Sequence, residues 1–129
     1  MSDTASWTAD ELARIADATE LRIASRRPDG TLRPFVTIWV TREGADVYVR
    51  SARGVDNPWF RRAQASGSGR IEAGGVRADV RFETPDAEVH PRVDAALHAK
   101  YDRYGPGPVG AITGPSSYAG TLRLVPARG

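Results

Sequence analysis

Eight consecutive residues, Val76–Glu83 (VRADVRFE), alternate apolar and charged without a break. A period of two puts Val76, Ala78, Val80 and Phe82 on one face of a strand and Arg77, Asp79, Arg81 and Glu83 on the other. A strand with one buried and one wet face belongs in an antiparallel sheet. The outer face alternates in sign, so it reads as a solvated, ion-paired surface and not as a binding stripe. Gly74-Gly75, just before it, suits a two-residue hairpin, which makes Gly69–Ala73 the neighbouring strand.

The rest of the chain is punctuated in the same way. Leu21–Arg26 alternates as a half-buried strand. Pro28-Asp29-Gly30 then turns the chain, proline fixing one corner and glycine accepting positive φ. Phe35–Arg42 follows, with Pro34 at its start; it is apolar on both faces and is predicted to be the buried central strand. Glu43-Gly44-Ala45-Asp46 makes another hairpin. Beyond it, Val47–Ser51 turns inward either Val47, Val49 and Ser51 or Tyr48 and Arg50. Thr121–Val125 is the last strand.

Three helices are predicted. Thr8 and Glu11 make a capping box, and Trp7 with Leu12 a hydrophobic staple, for a short helix ending near Ala18 across a barrel end. Asn57 caps and Pro58 opens a second helix, to Ala65, followed by a flexible Ser66–Gly69 link. Pro91–Tyr104 is the longest, with Val93, Leu97, Tyr101 and Tyr104 on one face and Gly105-Pro106 stopping it. The Gly105–Gly120 stretch reads as a loop, either a functional lid or poorly ordered. The expected fold is mainly β (α+β): a small antiparallel barrel of about six strands with peripheral helices, one domain over residues 1–129.

Composition excludes whole classes of chemistry. There is no cysteine, so thiol catalysis, disulfides and cysteine metal sites are out. The basic residues total 18 against 16 acidic, and Lys100 is the only lysine. A formal charge of +2 is too small to argue for nucleic acid, and the balanced Arg77–Glu83 face argues against it. No long apolar run and no basic leader segment are present, so the expectation is a soluble cytoplasmic protein with no membrane partner.

Most motifs fail on inspection. Gly67-Ser68-Gly69 lacks the helix and third glycine of a dinucleotide fingerprint. There is no phosphate loop or nucleophile elbow, and Ser116-Ser117 has no base at a readable spacing. His90/Asp94 and His98/Asp102 stand at i, i+4, which suits helix-surface ion pairing better than a metal site; none is expected. Trp39, Trp59 and Phe60 suit either the core or stacking on a ligand ring. The loop after Val47–Ser51 differs because its features cooperate. Arg50, Ser51, Arg53 and Gly54 converge with the Asn57-Pro58 helix start, a combination suited to an anion.

The residues that carry a family likeness are Arg26–Arg33 (RRPDGTLR), Ile38-Trp39, Tyr48–Ser51, Gly54, Trp59–Arg61, Gly69–Ile71, Lys100-Tyr101 and Thr121–Leu124. They resemble a bacterial family of unknown function. That family is in turn similar to the split β-barrel superfamily of pyridoxamine-phosphate-oxidase-like flavoproteins and deazaflavin-dependent nitroreductases. The resemblance implies a homodimer that binds FMN or a deazaflavin. Arg27, Gly30 and Arg33 match its basic turn, and Ser51, Gly54, Pro58 and Trp59 its later motif, both near the cofactor phosphate. On this reading Arg50, Ser51 and Arg53 hold the phosphate with the Gly54 amide, and Arg27 and Arg33 add charge. Backbone groups of Thr37, Ile38 and Trp39 line the ring. The expected function is a flavin- or deazaflavin-dependent oxidoreductase whose hydride chemistry belongs to the cofactor, with no catalytic side chain. The alternative is a non-enzymatic ligand-binding or sensing module that has lost the cofactor.

Overall fold

The computed structural model describes residues 6–52 and 54–127. Its centre is one antiparallel sheet of seven strands: β1 (Leu21–Ser25), β2 (Val36–Ile38), β3 (Thr41–Glu43), β4 (Asp46–Arg50), β5 (Ser68–Ala73), β6 (Val76–Glu83) and β7 (Thr121–Pro126). They lie in the order β2-β1-β5-β6-β7-β4-β3. The two edge strands are consecutive in the chain and only Trp39 and Val40 separate them. The three steps from Ile38 to Thr41 span roughly 11 Å at most. The edges are therefore drawn together, and the sheet curls into a split barrel.

That arrangement corrects the reading of Phe35–Arg42 as one buried central strand. The stretch divides at Val40 because helix α3 (His90–Tyr101) takes over the backbone groups there. The Tyr101 hydroxyl accepts from Val40 N at 3.1 Å and donates to Thr19 O at 2.6 Å. The Lys100 ammonium donates to Val40 O at 2.9 Å. β2 is left as an edge, with Val36 36% exposed. The extra strand in the count comes from this division.

The interior of the barrel is built as the periodicity requires. In β6, Val76, Val80 and Phe82 are buried and Ala78 half-buried, while Arg77, Asp79 and Arg81 are exposed and Glu83 half-exposed. Val47, Val49, Ile71, Leu122 and Leu124 complete the strand contribution. Helix α1 (Ala9–Asp17) adds Leu12 and Ile15, with its capping box formed as expected. Helix α2 (Pro58–Ser66) adds Phe60 and Ala63. Each large side chain so buried contributes about 1.5–3 kcal/mol.

A second apolar cluster lies on the other side of β4. Tyr48 points out of the barrel beneath Val93, Leu97 and Tyr101 of α3, joined by Val109, Ile112 and Trp39. Both alternatives for β4 are therefore true at once: Val47 and Val49 fill the barrel, and Tyr48 and Arg50 are buried under the helix. The Gly105–Gly120 stretch forms helix α4 (Pro106–Gly110) and a 3-10 turn over Pro115–Gly120 that packs against this layer, which corrects the reading of it as a poorly ordered loop. The link after α2 is likewise ordered: Gly67 closes the helix in a left-handed conformation (φ 77°) and β5 begins at once.

Candidate functional site

The site sits where α2 lies along the β1–β2 hairpin. Asn57 accepts a hydrogen bond from Trp59 N at 3.4 Å, and Pro58 occupies the first helical position. With Phe60 and Ala63 committed to the core, Trp59, Arg61 and Arg62 fall on other faces of the helix. On the strand side, Val36, Thr37 and Ile38 belong to the exposed edge, and Trp39 follows. Trp39 is fixed from behind by stacking on Tyr101, with centroids 4.1 Å apart and planes 6° from parallel.

Between these elements runs a trough with two unlike ends. The first is a cleft of about 400 Å³ lined by Thr37, Ile38, Trp39, Asn57, Trp59 and the edge of Arg50, among others. The second is a cleft of about 740 Å³ lined by Arg26, Arg27, Arg33, Arg61 and Arg62, with no carboxylate on its walls among the described residues. A small hollow of about 20 Å³ lies between them: it shares Val36 and Trp59 with the aromatic end, and Arg33 and Arg62 with the basic end. There Arg33 Nε is buried without a hydrogen-bond partner among the described residues. An orphaned buried donor of that kind is costly unless something accepts from it.

The structure thus brings Thr37, Ile38, Trp39, Arg50 and Trp59 to one end of the trough and Arg27 and Arg33 to the other. It turns Arg50 and Ser51 of the strand-end loop inward, away from any anion pocket. Arg50 is 4% exposed and all its donors point inward. Its Nε donates to Thr121 Oγ1 at 3.0 Å, and Nη1 to the Asp94 carboxylate, to Ile112 O at 3.0 Å and to Ser117 Oγ at 3.2 Å. Its Nη2 meets His90 Nδ1 at 3.2 Å and His90 O at 3.4 Å. A guanidinium has five N–H groups, and these acceptors occupy them. Ser51 is fully buried, its N–H bonded to Gly120 O at 2.9 Å. Gly54 packs its backbone against Gly120, where an added Cβ would come within 3.2 Å. Arg53 lies outside the described residues.

The reading of His90/Asp94 as a helix-surface pair is corrected by the same network. The two residues flank Arg50 instead of each other. Tyr118 closes the cage: it stacks on His90 at 4.2 Å and donates to Asp94 Oδ2 at 2.9 Å. Burial pushes the Asp94 carboxyl up, but hydrogen bonds from Arg50, Tyr118 and Gly114 N outweigh it and hold the pKa below 3.8. Burial first, and the Arg50 charge second, push the His90 imidazole below 6.5. His98 and Asp102 do pair on the surface, at 2.7 Å. Among the described residues no group of three or more metal-capable side chains forms, and no helix is long and apolar enough to cross a membrane.

Sequence reasoning missed Asp94, His90, Ser117, Tyr118 and Thr121 as partners of Arg50. One signal was available: a charged residue on a strand dry on both faces needs a buried partner. It also missed Arg61 and Arg62 as cleft residues, although Pro58 sets the phase of the helix that places them.

Comparison with solved structures shows what this architecture is similar to. A candidate pyridoxamine 5′-phosphate oxidase from Listeria innocua is 14% identical, with a TM-score of 0.61 over 91% of this chain and 90% of that one. An F420 reductase is 17% identical, with a TM-score of 0.53 over 88% and 89%. An FAD-binding protein from Mesorhizobium loti is 19% identical, with a TM-score of 0.51 over 94% and 89%. At these identities the likeness shows the shared fold, a split barrel. No curated protein matches the sequence. Residues 11–124 match the model of a family described as uncharacterized proteins conserved in bacteria, DUF2255, and the chain belongs to that family.

Proposed function

We propose that this protein binds a flavin-type cofactor along the trough and serves as an oxidoreductase through it. The observation that carries the reading is an aromatic cleft and an arginine cleft, carboxylate-free among the described residues, on either side of a hollow where Arg33 Nε has no partner among them. A flat, amphipathic ring with an anionic tail fits both ends. Trp39 and Trp59 would flank the ring, and backbone groups of Thr37 and Ile38 on the open strand edge would meet its polar rim. Arg27 and Arg33 would take the tail phosphate, a task for which the guanidinium fork is suited. The cofactor, whether FMN or a deazaflavin, supplies hydride transfer when bound. The described chain supplies binding, orientation and a dry wall: Arg50, pinned by Asp94 and His90, stiffens the floor of the aromatic end.

A ligand-binding module without turnover is the second reading. It is favoured by one observation: among the described residues, Arg50 is the only titratable side chain on the walls of the aromatic end, and none of them offers a general acid or base to the ring. A homodimer belongs to the proposal as well. Val36 at the rim of the trough, Val55 at 43% and Tyr104 at 43% exposure are the apolar surface a second copy would cover. Sedimentation at micromolar concentration tests it, and a monomer there counts against it.

Titration of the purified protein with FMN, riboflavin and a deazaflavin, followed by visible absorbance, tests the binding itself. FMN or the deazaflavin should bind, and Arg33→Ala should weaken FMN by roughly one to two decades while sparing riboflavin. If none of the three perturbs the spectrum, the flavin reading fails. If one binds, consumption of reduced nicotinamide or reduced deazaflavin with a nitroaromatic acceptor separates the oxidoreductase from the module.

A further inference from the structure

Trp39 lines the aromatic cleft and also heads a file of three rings that leads out of it. Tyr101 stacks on it at 4.1 Å, and Tyr104 lies tilted 5.3 Å from it and 6.0 Å from Tyr101. The file ends at the surface, where Tyr104 is 43% exposed. In a chain without cysteine, indole and phenol are the side chains that give up a single electron most readily. Rings this close exchange one by tunnelling. Trp59, the other indole of the cleft, meets Phe60 at 5.9 Å, and a phenyl ring is too hard to oxidise to take over the vacancy. The two phenols differ in what becomes of their proton. A phenol that loses an electron forms a stable radical only by shedding its hydroxyl proton. Tyr101 is fully buried, and its hydroxyl faces Thr19 O at 2.6 Å and Val40 O at 3.0 Å. Backbone carbonyls do not take a proton outright, and burial pushes this phenol up to about 12. The Tyr104 hydroxyl accepts an exposed hydrogen bond from Arg103 Nη2 at 3.2 Å, and water can take its proton. A cation stands over each ring, Lys100 Nζ 5.2 Å from Tyr101 and the Arg103 guanidinium 5.0 Å from Tyr104, so a charged radical persists on neither. A vacancy leaving Trp39 therefore settles on Tyr104, and Tyr101 is the plate that fixes the indole.

We propose that Trp39 and Tyr104 form a radical relay that carries one-electron oxidising equivalents from the aromatic cleft to the surface and so protects the cleft from oxyl radicals. An oxyl radical in the cleft takes one electron from the Trp39 indole and one proton from water, and becomes an alcohol. Tyr104 returns the electron to the indole and gives its phenolic proton to water, which leaves the neutral tyrosyl radical. A thiol in solution then restores the phenol: its S–H bond breaks, the Tyr104 O–H bond forms, and the radical passes to sulfur. The proposal rests on the reading of the cleft as a redox site, because one-electron reduction of an alkyl hydroperoxide by a reduced carrier releases such an oxyl radical together with hydroxide.

Azidyl radicals made by pulse radiolysis oxidise tryptophan in preference to tyrosine at neutral pH, and they need no cofactor. In the whole protein, tryptophanyl absorbance should decay as tyrosyl absorbance grows, at a rate independent of protein concentration. Trp39→Phe and Tyr104→Phe should each abolish that growth, and Trp59→Phe should leave it. Tyr104 is exposed, so its variant keeps the fold. Tyrosyl growth that is missing in wild type, or that survives Tyr104→Phe, overturns the relay. The protective role is read separately, by exposing the protein to tert-butoxyl radicals with glutathione present and measuring oxidised Trp39 by peptide mass spectrometry. Tyr104→Phe should raise Trp39 oxidation severalfold, and equal oxidation in the two proteins overturns the protection. Transfer that occurs in a protein to which no flavin binds keeps the relay and removes the proposed cofactor. Flavin binding without transfer does the reverse.

Discussion

Arg50 of β4 and Asp94 of α3 form an ion pair in which the Arg50 side chain is 1% exposed and the Asp94 side chain 19%. The pair ties the sheet to the helix layer directly behind the aromatic cleft. Two further carboxylate bonds, from Tyr118 and Gly114 N, leave Asp94 fully engaged.

Breaking such a pair on one side leaves a buried charge without its partner. Arg50→Met should therefore cost about 3–5 kcal/mol of stability. Replacing both residues, Arg50→Met with Asp94→Leu, should recover much of that loss, because neither charge then needs solvation. Urea unfolding at unchanged denaturant dependence measures both. A loss below about 1 kcal/mol for Arg50→Met would show that the network holds little of the fold together.

His90 gives the network a pH dependence whose sign can be worked out. Arginine only donates, so Nδ1 of His90 accepts from Arg50 and the ring is neutral with its proton on Nε2. The folded pKa lies below the ordinary 6.5, through burial and then the Arg50 charge, with Asp94 opposing. The stabilisation is then complete above pH 6.5 and is lost as the pH falls through the folded value. His90→Asn keeps an acceptor near Nδ1 but cannot titrate. Its stability should fall less than that of wild type on acidification below pH 6.5, while Asp94 stays ionised until the pH drops under 3.8. His98, exposed and paired with Asp102, is removed from the comparison by a parallel His98→Asn. Identical pH profiles for His90→Asn and wild type would remove His90 from the acid response.

Local rules made much of this fold legible. The alternation of Val76–Glu83, the Gly74-Gly75 turn, the Thr8–Glu11 box and the Asn57-Pro58 start each depend on neighbours within a few residues, and each is found where expected. Phe35–Arg42 was misread because its division at Val40 is imposed by Tyr101 and Lys100, about sixty residues away. Arg50 was misplaced for the same reason. A strand-end arginine beside a helix start looks like a ligand for anions until the helix that buries it is known. The trough was half visible. Trp39 and Trp59 were evident as ring-facing candidates and Arg27 and Arg33 as a basic turn, but only the packing of α2 on the hairpin joins them to Arg61 and Arg62.

Gly69 tests the junction of β1, β5 and β6. It pairs with Ser25 on one side and Val80 on the other. A Cβ there would sit 2.0 Å from Ala24 O and 2.8 Å from the Phe82 ring. The oxygen is backbone within a ladder and cannot swing away. Gly69→Ala should thus destabilise by about 1–3 kcal/mol, although alanine is the milder residue for a strand in general. Thermal unfolding compares it with Gly107→Ala, where nothing lies within 4 Å. Equal midpoints for the two variants would mean that the strands separate more easily than the ladder suggests.

The three tryptophans make the aromatic end directly observable. Trp7 is 7% exposed, donates its indole N–H to Leu124 O at 2.9 Å and is not among the residues that line the trough. Trp39 and Trp59 both line the aromatic cleft. A flavin ring between them would quench both by stacking and energy transfer, and Trp7 less. In wild type, FMN should therefore quench most of the cleft emission in a saturable way. Trp39→Phe and Trp59→Phe should each reduce the quenched fraction, whereas Trp7→Phe should raise it by removing unquenched background. Phenylalanine keeps an apolar ring, so the affinity read from the same curves should change by less than about tenfold. A quenched fraction that is insensitive to Trp39 and Trp59 but falls in Trp7→Phe would place the ring elsewhere on the molecule, and the trough would lose its ligand.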